Sequence, residues 1–350
     1  MTDVARIVDH IRGQAVACKR LGSPLYAGLI ASLADDLEQG GPAADVVAGY
    51  GGDPGLDAVA LRVMGGVHRL VQRRAPVLAL FYPSVGGTAD VGAAWPALRE
   101  VLMEHRDELR QQLRQAPQTN EVGRAAALVG GLHHIVASRP GPVRLVEIGA
   151  SAGLNLLADR FRVVAGDGHA VGPSTSPVML ADAWHGPLPP LAARPDVVER
   201  FGCDTAPLDA TSVEGRLRLT SYVWPDQRAR LERLRGALAI AQDVPVVLER
   251  SGAADYLTRL DLVPGTTTVL WHSVMWQYLS RDEQAVATTR IGELGAQADA
   301  TAGFAHLRLE PENPPAEAAV GFRVVLRSWP GGEERVLGTA APHGLPTTWE

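Results

Sequence analysis

Residues 143–161, which read VRLVEIGASAGLNLLADRF, constrain the fold of this 350-residue chain more than any other stretch. A short apolar run ends in a turn that contains Gly149, Ser151 and Gly153, and apolar residues then recur at helical spacing. An apolar run of this length is typical of a buried parallel strand, and the small residues let the backbone of the turn come close to a ligand. The sequence therefore predicts a strand, a glycine-rich turn and a helix.

The chemistry of this turn limits which ligand it can take. The start of the predicted helix offers unpaired N–H groups and the positive end of the helix dipole, which suit a carboxylate or a phosphate. However, Glu147 lies in the strand two residues before Gly149. A carboxylate beside the turn repels a pyrophosphate, whereas it suits a ligand that carries an ammonium group and hydroxyls.

The length and the apolar pattern predict two domains. Residues 1–138 contain apolar residues at helical spacing, such as Leu25, Leu29 and Leu33, separated by turns rich in glycine and proline. We expect this part to be an all-helical N-terminal cap domain and residues 139–350 to be an α/β domain. With 46% hydrophobic residues, the chain can bury a full core.

The charge and the cysteine content exclude several classes of function. A net charge of −6 gives no general attraction for nucleic acid or for an anionic membrane, and no apolar run approaches the length of a membrane helix. Cys18 and Cys203 form neither a disulfide framework nor a zinc spacing. We therefore expect a soluble, cytoplasmic protein that binds a small molecule, with no metal, no nucleic acid and no membrane partner. The sequence leaves the oligomeric state open.

An acidic residue follows the second predicted parallel strand. After the glycine turn, residues 162–180 contain an Asp-Gly pair and predict an inserted hairpin. The next apolar segment leads to Asp204, and an acid at this end of the second strand is where a nucleoside ribose is held by its hydroxyls in dinucleotide-binding folds. The insertion explains why Asp204 comes later than the usual 20 residues or so after the turn.

The remaining segments complete a predicted doubly wound sheet. Three further strands are expected, each followed by polar residues, and the chain ends in an antiparallel hairpin around Pro330. The predicted strands are residues 245–248, 267–271 and 305–309, and the predicted hairpin strands are residues 322–329 and 335–339. The fold class is therefore α/β, a Rossmann-like, mostly parallel sheet with a terminal antiparallel hairpin.

Two resemblances follow from these motifs. The turn at residues 147–153, the Gly-x-Asp-x-x-Pro at residues 202–207 and the closing hairpin resemble class I S-adenosylmethionine-dependent methyltransferases. More specifically, the strings QTNEVGR, EIGASAGLNLL, VWPDQ and WHSVMWQYL are similar to an uncharacterised bacterial family of unknown function, of DUF2332 type, over nearly the whole chain. The turn departs from the methyltransferase pattern at Ser151, where a glycine is common.

The methyltransferase resemblance implies S-adenosylmethionine as cofactor and a role for each matching position. Asp204 would accept hydrogen bonds from two ribose hydroxyls, and residues after the third strand would flank adenine. The implied cofactor-binding residues are Glu147, Gly149, Ala150, Ser151, Gly153, Asn155, Asp204, Glu249, Arg250 and Ser251. The candidate catalytic residues are His272, Tyr278 and Asp226, and the candidate substrate-binding residues are Asn120, Glu121, Arg124 and Trp276.

Several of these positions have simpler interpretations. Asn120 and Asp226 stand at expected helix starts, where such residues act as caps, and a lone histidine such as His272 is often structural. Ser273 lacks a surrounding Gly-x-Ser-x-Gly motif, which argues against a serine hydrolase. The sequence thus predicts methyl transfer to a small molecule held between the cap and the sheet. A non-catalytic or regulatory nucleoside-binding protein and an NAD(P)-dependent oxidoreductase remain as alternatives.

Overall fold

The computed structural model describes residues 3–53, 58–73, 76–311 and 321–350, and its packing divides the chain into two compact units. The first unit comprises residues 1–119 and 213–232, and the second comprises residues 120–212 and 233–350. The predicted boundary at residue 138 does not coincide with this division, because the helix that ends at Ser138 belongs to the second unit.

The bounds of the helices are as follows. The α-helices are α1 (Asp3–Arg20), α2 (Pro24–Glu38), α3 (Pro42–Val47), α4 (Val59–Val71), α5 (Pro76–Ala79), α6 (Val91–Glu104), α7 (Arg106–Gln112), α8 (Ala125–Ser138), α9 (Val213–Ser221), α10 (Arg228–Asp243), α11 (Ala253–Thr258) and α12 (Arg281–Gln297). Short 3-10 helices span Pro83–Val85, Val122–Arg124, Leu154–Arg160 and Trp276–Tyr278.

Twelve strands are described, all of them in the second unit. They are β1 (Pro142–Ile148), β2 (Arg162–Val164), β3 (Ala170–Val171), β4 (Met179–Leu180), β5 (Trp184–His185), β6 (Asp196–Asp204), β7 (Val247–Arg250), β8 (Thr267–Ser273), β9 (Gly303–Pro311), β10 (Phe322–Trp329), β11 (Glu333–Ala340) and β12 (Thr347–Trp349).

The first unit is built around one apolar core supplied by its helices. Leu25, Leu29 and Leu33 on α2 are buried in it, as are Val63 and Val67 on α4. The spacing of three and four residues brings each set to one face of its helix. The helical periodicity predicted from the sequence is therefore confirmed for these segments.

In the second unit, nine strands form one sheet in the order β5-β12-β11-β10-β9-β8-β1-β6-β7. Strand β1 lies in the middle of five parallel strands: it pairs with β6 on one side and with β8 on the other, and β7 and β9 extend the parallel part. Strands β10, β11 and β12 continue it in antiparallel pairs. The expected α/β fold with a mostly parallel sheet and a terminal antiparallel hairpin is confirmed at this level.

Successive residues of the central strands face opposite sides of the sheet. Val146 and Ile148 pack in one core cluster with Leu257 of α11 and Leu294 of α12. Glu147 therefore faces the other side. On α8, a side chain at Gly130 or Gly131 would overlap Trp349 or Leu307 of the sheet, so these glycines allow close packing of the helix.

The connection from β1 to β6 differs from the prediction in two ways. The glycine turn leads into the seven-residue 3-10 helix Leu154–Arg160 and not into an α-helix, and β2 begins directly after Phe161. The Asp167-Gly168 tip of the inserted hairpin is confirmed, since β2 pairs antiparallel with β3. The prediction that residues 176–180 form the return strand of this hairpin is wrong, because β4 within them runs parallel to β2 as its other neighbour.

Candidate functional site

The glycine turn lies at the carboxyl end of β1, where the order of the sheet strands reverses. In sheets of this kind, ligands bind in the crevice beyond the carboxyl ends of the strands at such a point. The two neighbours of β1 end beside the turn, since Glu147 aligns with Gly202 of β6 and with Trp271 of β8. The sequence-predicted residues of these three strand ends therefore come together.

Protein acceptors satisfy the backbone N–H groups of the turn. The Ser151 N–H donates to Asp204 Oδ2 at 2.8 Å, and the N–H groups of Ala152 and Leu154 donate to Asn120 Oδ1 at 3.3 and 2.9 Å. The remaining two N–H groups donate to backbone carbonyls, Ala150 to Cys203 of β6 and Gly153 to Ala150 within the turn. The turn thus offers no unpaired N–H between residues 150 and 154.

Asp204 ends β6 and fixes two loops. Its Oδ2 accepts the Ser151 N–H, and its Oδ1 accepts the Ala206 N–H at 2.8 Å. Ser151 adopts a left-handed backbone, with φ of 53°, so this bond helps to hold an unfavourable conformation. An ionised carboxylate offers about four lone-pair sites. One backbone contact on each oxygen therefore leaves acceptor capacity on both oxygens for a ligand.

Glu147 is 2% exposed and faces the interior of the protein. Asn155 Nδ2 donates to its Oε1 at a long 3.5 Å, while Oε2 has no hydrogen-bond partner within the described structure. The indole N–H of Trp271 favours the charged carboxylate but does not reach good hydrogen-bond geometry. Burial dominates and raises the pKa of Glu147 to about 8, so the side chain is mostly neutral at pH 7.

The segment before α8 joins the site through Asn120 and Arg124. Arg124 Nε donates to the Pro342 carbonyl at 3.3 Å, and its Nη1 donates to the Ser273 carbonyl at 3.5 Å. Glu121 caps its own 3-10 helix, because its Oε1 accepts the Gly123 N–H at 3.1 Å. The structure therefore brings Asn120 and Arg124 to the strand ends, while Glu121 is engaged in local structure.

His272 lies inside β8, although the sequence predicted that the strand ends at residue 271. It is 1% exposed, and both ring nitrogens are engaged: Nδ1 is 2.6 Å from Glu310 Oε1 and Nε2 is 2.9 Å from His306 Nε2. Trp276 stacks on its ring, with centroids 5.1 Å apart. Both ring nitrogens of His272 are therefore occupied by protein groups. Tyr278, by contrast, is 62% exposed.

Glu310 and His306 are polar partners that the sequence analysis missed. Both are on β9, where the residues at 304, 306, 308 and 310 share one face because every second side chain points the same way. Burial and the neighbouring His272 lower the pKa of His306 well below its ordinary value, so His306 is neutral. Polar residues at alternate positions of an otherwise apolar strand were the available signal.

The residues after β7 are placed at the edge of the site. The Ser251 N–H donates to the Asp204 carbonyl at 3.0 Å, and Arg250 Nη1 donates to the Thr205 carbonyl at 3.2 Å. Glu249 forms an exposed ion pair with Arg259. Of the three, Ser251 and Arg250 are therefore tied by hydrogen bonds to the loop that begins at Asp204.

Asp226 belongs to the first unit, whereas the other candidate residues belong to the second. Its Oδ1 accepts from Ser23 Oγ at 2.5 Å, and its Oδ2 accepts from the Leu25 N–H at 2.9 Å. These contacts cap the start of α2, and α10 begins only at Arg228. Its catalytic role stays a prediction, while the contacts are those of a helix cap.

These contacts predict a result that separates the two roles of Asp226. The Asp226→Ala variant should lose about 1–2 kcal/mol of unfolding free energy, the usual effect of removing a helix cap. Because the carboxylate is committed to α2, ligand affinity of the second unit should not change. Urea denaturation and calorimetric titration check the two parts, and a large loss of turnover at full stability would contradict the structural role.

Comparison with known proteins assigns the chain to a family. Residues 8–349 match the bacterial family described as an uncharacterized protein conserved in bacteria (DUF2332), and the chain belongs to it. No curated protein and no solved structure matches the chain. The expected family membership is thereby confirmed.

The part of the chain that the structure describes contains neither a helix able to span a membrane nor a cluster of metal-ligating side chains. In residues 3–53, 58–73, 76–311 and 321–350, no helix has both the length and the apolar character needed to cross a bilayer. Within the same ranges, no three His, Cys, Asp or Glu side chains gather in a way that could hold a metal ion.

Proposed function

We propose that the chain binds S-adenosylmethionine at the carboxyl ends of β1, β6 and β8 and transfers its methyl group to a small-molecule acceptor. The second unit then acts as a Rossmann-like domain of the class I methyltransferase type. The observation that carries the proposal is the position of Asp204, which stands beside the glycine turn at the reversal of strand order. In sheets of this type, that position holds a ribose.

The occupied turn supports an adenosyl amino acid over a dinucleotide. A pyrophosphate needs free N–H groups at the turn and the helix start. Here, the N–H groups of residues 150–154 already donate hydrogen bonds to protein acceptors. Ribose hydroxyls, as donors, suit the remaining lone pairs of Asp204. The lack of a free N–H group between residues 150 and 154, and not the ribose contact, argues against the NAD(P)-dependent oxidoreductase.

Placement is the proposed source of catalysis. The cofactor supplies an activated methyl group, and the protein has to hold an acceptor nucleophile in line with it. Asp204 would bind the ribose, and the carbonyl groups of the turn would receive the ammonium group. Because both ring nitrogens of His272 are engaged, we assign this residue a structural role, the ordering of the end of β8. The Tyr278 side chain is exposed to solvent.

The non-catalytic alternative is favoured by the same histidine. A nucleoside-binding protein that does no chemistry needs Asp204 but no accessible base, and His272 is fully enclosed by Glu310, His306 and Trp276. Binding alone therefore does not separate the two functions. Release of S-adenosylhomocysteine in the presence of candidate acceptors does, since only the enzyme forms it.

Calorimetric titration with S-adenosylmethionine, S-adenosylhomocysteine and NAD tests the ligand class. We expect both adenosyl ligands to bind and NAD not to bind. The Asp204→Asn variant should lose about 10- to 100-fold in affinity, as expected for charge-assisted hydrogen bonds. Asp209→Asn is the matched control, because Asp209 also accepts a backbone N–H, from Thr211 at 2.8 Å, on a loop of the same unit.

A ligand without the 2′-hydroxyl group separates ribose contact from loss of loop structure. If Asp204 accepts this hydroxyl, 2′-deoxy-S-adenosylhomocysteine should bind wild type more weakly than the parent ligand but bind Asp204→Asn equally well. Equal losses in both proteins would contradict the ribose role of Asp204. Tighter binding of NAD than of either adenosyl ligand would overturn the proposed ligand class.

A further inference from the structure

A strained residue stands at the end of β8, directly after Ser273. Val274 has φ of 52°, in the left-handed region, where a β-branched residue is a rare outlier. Its N–H donates to the Leu309 carbonyl at 3.0 Å, which fixes the chain direction at this point. Conformations of this kind persist where surrounding contacts impose them, and they cluster at ligand clamps and switch regions.

The next residue covers the glycine turn. A side-chain carbon added to Gly149 would come within 3.0 Å of both Cβ and Cγ of Met275, so the Met275 side chain lies against the bare backbone of this glycine. Gly149 itself has φ of 69°. The surface of the turn on which a ligand would rest is therefore occupied by Met275.

A single carboxylate holds this segment in place. Glu310 Oε1 accepts the N–H groups of Met275 and Trp276 at 3.2 and 3.4 Å, in addition to its contact with His272. The Trp276 ring then stacks on His272. Glu310 thus sets both the backbone of the segment and the histidine beneath it.

The far end of the segment is anchored on α12. Gln284 Nε2 donates to the carbonyls of Trp276 and Leu279 at 3.0 and 3.1 Å. Ser280 and Glu283 form a capping box that fixes the start of the helix. The residues between the strained Val274 and this cap, 274–278, form one short segment between two fixed elements, and we name it the cover segment.

We propose that the cover segment is a gate over the candidate cofactor site and that Glu310 is the positioning residue that keeps it closed. The identity of the ligand that the gate admits rests on the proposed function, whereas the opening and closing of the segment does not. Opening would move Met275 from Gly149 and let Val274 relax to an ordinary backbone conformation. Opening would also break the two hydrogen bonds that the N–H groups of Met275 and Trp276 donate to Glu310. The strain therefore favours the open state, and the carboxylate favours the closed state.

Two variants should shift this equilibrium in opposite directions. Glycine adopts a left-handed backbone without cost, so Val274→Gly removes the strain from the closed state and should reduce opening by about fivefold or more. Glu310→Gln replaces a charged acceptor by a neutral one and should increase opening by about tenfold. Glu334→Gln is the matched control, because the half-exposed Glu334 of β11 pairs with Arg308 on the same strand as Glu310.

Hydrogen–deuterium exchange of the ligand-free protein tests the gate. The Met275 and Trp276 amides should exchange faster in Glu310→Gln, slower in Val274→Gly and at the wild-type rate in Glu334→Gln. Exchange of the β1 amides should be equal in all four proteins, which separates a local change from global destabilisation. Unchanged exchange at both amides in Glu310→Gln, or faster exchange in Val274→Gly, would overturn the proposal.

Titration with S-adenosylhomocysteine supplies the second readout. If binding requires the open state, the apparent Kd should fall in Glu310→Gln and rise in Val274→Gly by the same factors as the opening equilibrium. If exchange shifts in opposite directions in Glu310→Gln and Val274→Gly but the Kd does not follow, the cover segment does not control ligand access, and that part of the proposal is refuted. Absence of binding in every protein, with the exchange pattern as expected, would refute the ligand and leave the gate standing.

Discussion

The Glu147→Gln variant should be more stable than wild type at pH 8.5 and close to it at pH 5. Burial raises the pKa of the folded-state carboxyl to about 8 from an ordinary value of 4.5, and the unfolded chain has the ordinary value. Between these two values, the folded state binds more protons than the unfolded state, so wild-type stability falls as the pH rises. Glutamine cannot ionise, so the stability of the variant does not fall with pH for this reason.

The expected size follows from the shift in the pKa of Glu147. The stabilising effect of the protonated carboxyl is complete below pH 4.5, declines through neutrality and is lost above pH 8. At about 1.36 kcal/mol for each pKa unit, the full loss is of the order of 5 kcal/mol. The variant keeps the shape of the side chain and the acceptor for Asn155, so other contributions should change little.

Urea denaturation of both proteins at several pH values between 5 and 8.5 measures the effect as a difference. Subtraction removes the pH dependence that the two proteins share. Glu199→Gln is the control, because Glu199 is an exposed partner of Arg144 on the neighbouring strand β6. A difference between Glu147→Gln and wild type that stays constant over this range would mean that Glu147 titrates as an ordinary surface carboxyl.

Replacement of Trp349 by alanine should cost about 3–5 kcal/mol of unfolding free energy, the range for a fully buried aromatic residue. The side chain is 2% exposed, and its ring lies against Gly130 of α8. It also meets Trp184 edge to face, with ring centroids 6.1 Å apart. Its Nε1 makes no hydrogen bond within the described structure, so the loss is one of packing.

The Trp349→Phe variant distinguishes the loss of the whole aromatic side chain from the loss of part of its volume. Phenylalanine keeps an aromatic ring in the core but lacks the outer indole atoms Cζ2 and Cη2 that face Gly130. We expect it to lose about 1–2 kcal/mol, clearly less than alanine. Urea denaturation gives the free energies, and exchange of the amides of β11 and β12 reports whether the strand pairing loosens. Equal stability of the alanine variant and wild type would show that α8 does not depend on this contact.

Sequence patterns located the parallel strands along the chain, because an apolar run followed by a polar residue marks a buried strand and its carboxyl end. They failed for β5 and β12, which have two and three residues and carry no detectable period. They also ended β8 too early. Ser273 is a strand residue because it aligns with Leu309 of β9, and such pairing between distant segments is absent from local pattern.

The positions of the candidate residues were more predictable than their contacts. The turn and Asp204 lie side by side, because neighbouring parallel strands end at one edge, whereas the Glu147 side chain is buried in the interior. The link from Asn120 to the turn spans 32 and 34 residues, and the link from His272 to Glu310 spans 38. Each joins two polar side chains or a side chain and a backbone group, and no spacing rule selects such partners.

The hydrogen bonds of the glycine turn bear on protein engineering. The turn owes its shape to Asn120, from the segment before α8, and to Asp204, from the neighbouring strand. Residues 143–161 are therefore not a self-contained module. Grafted alone onto another α/β scaffold, they would lack the side-chain acceptors of three backbone N–H groups, so a transplant has to carry all three pieces of chain together.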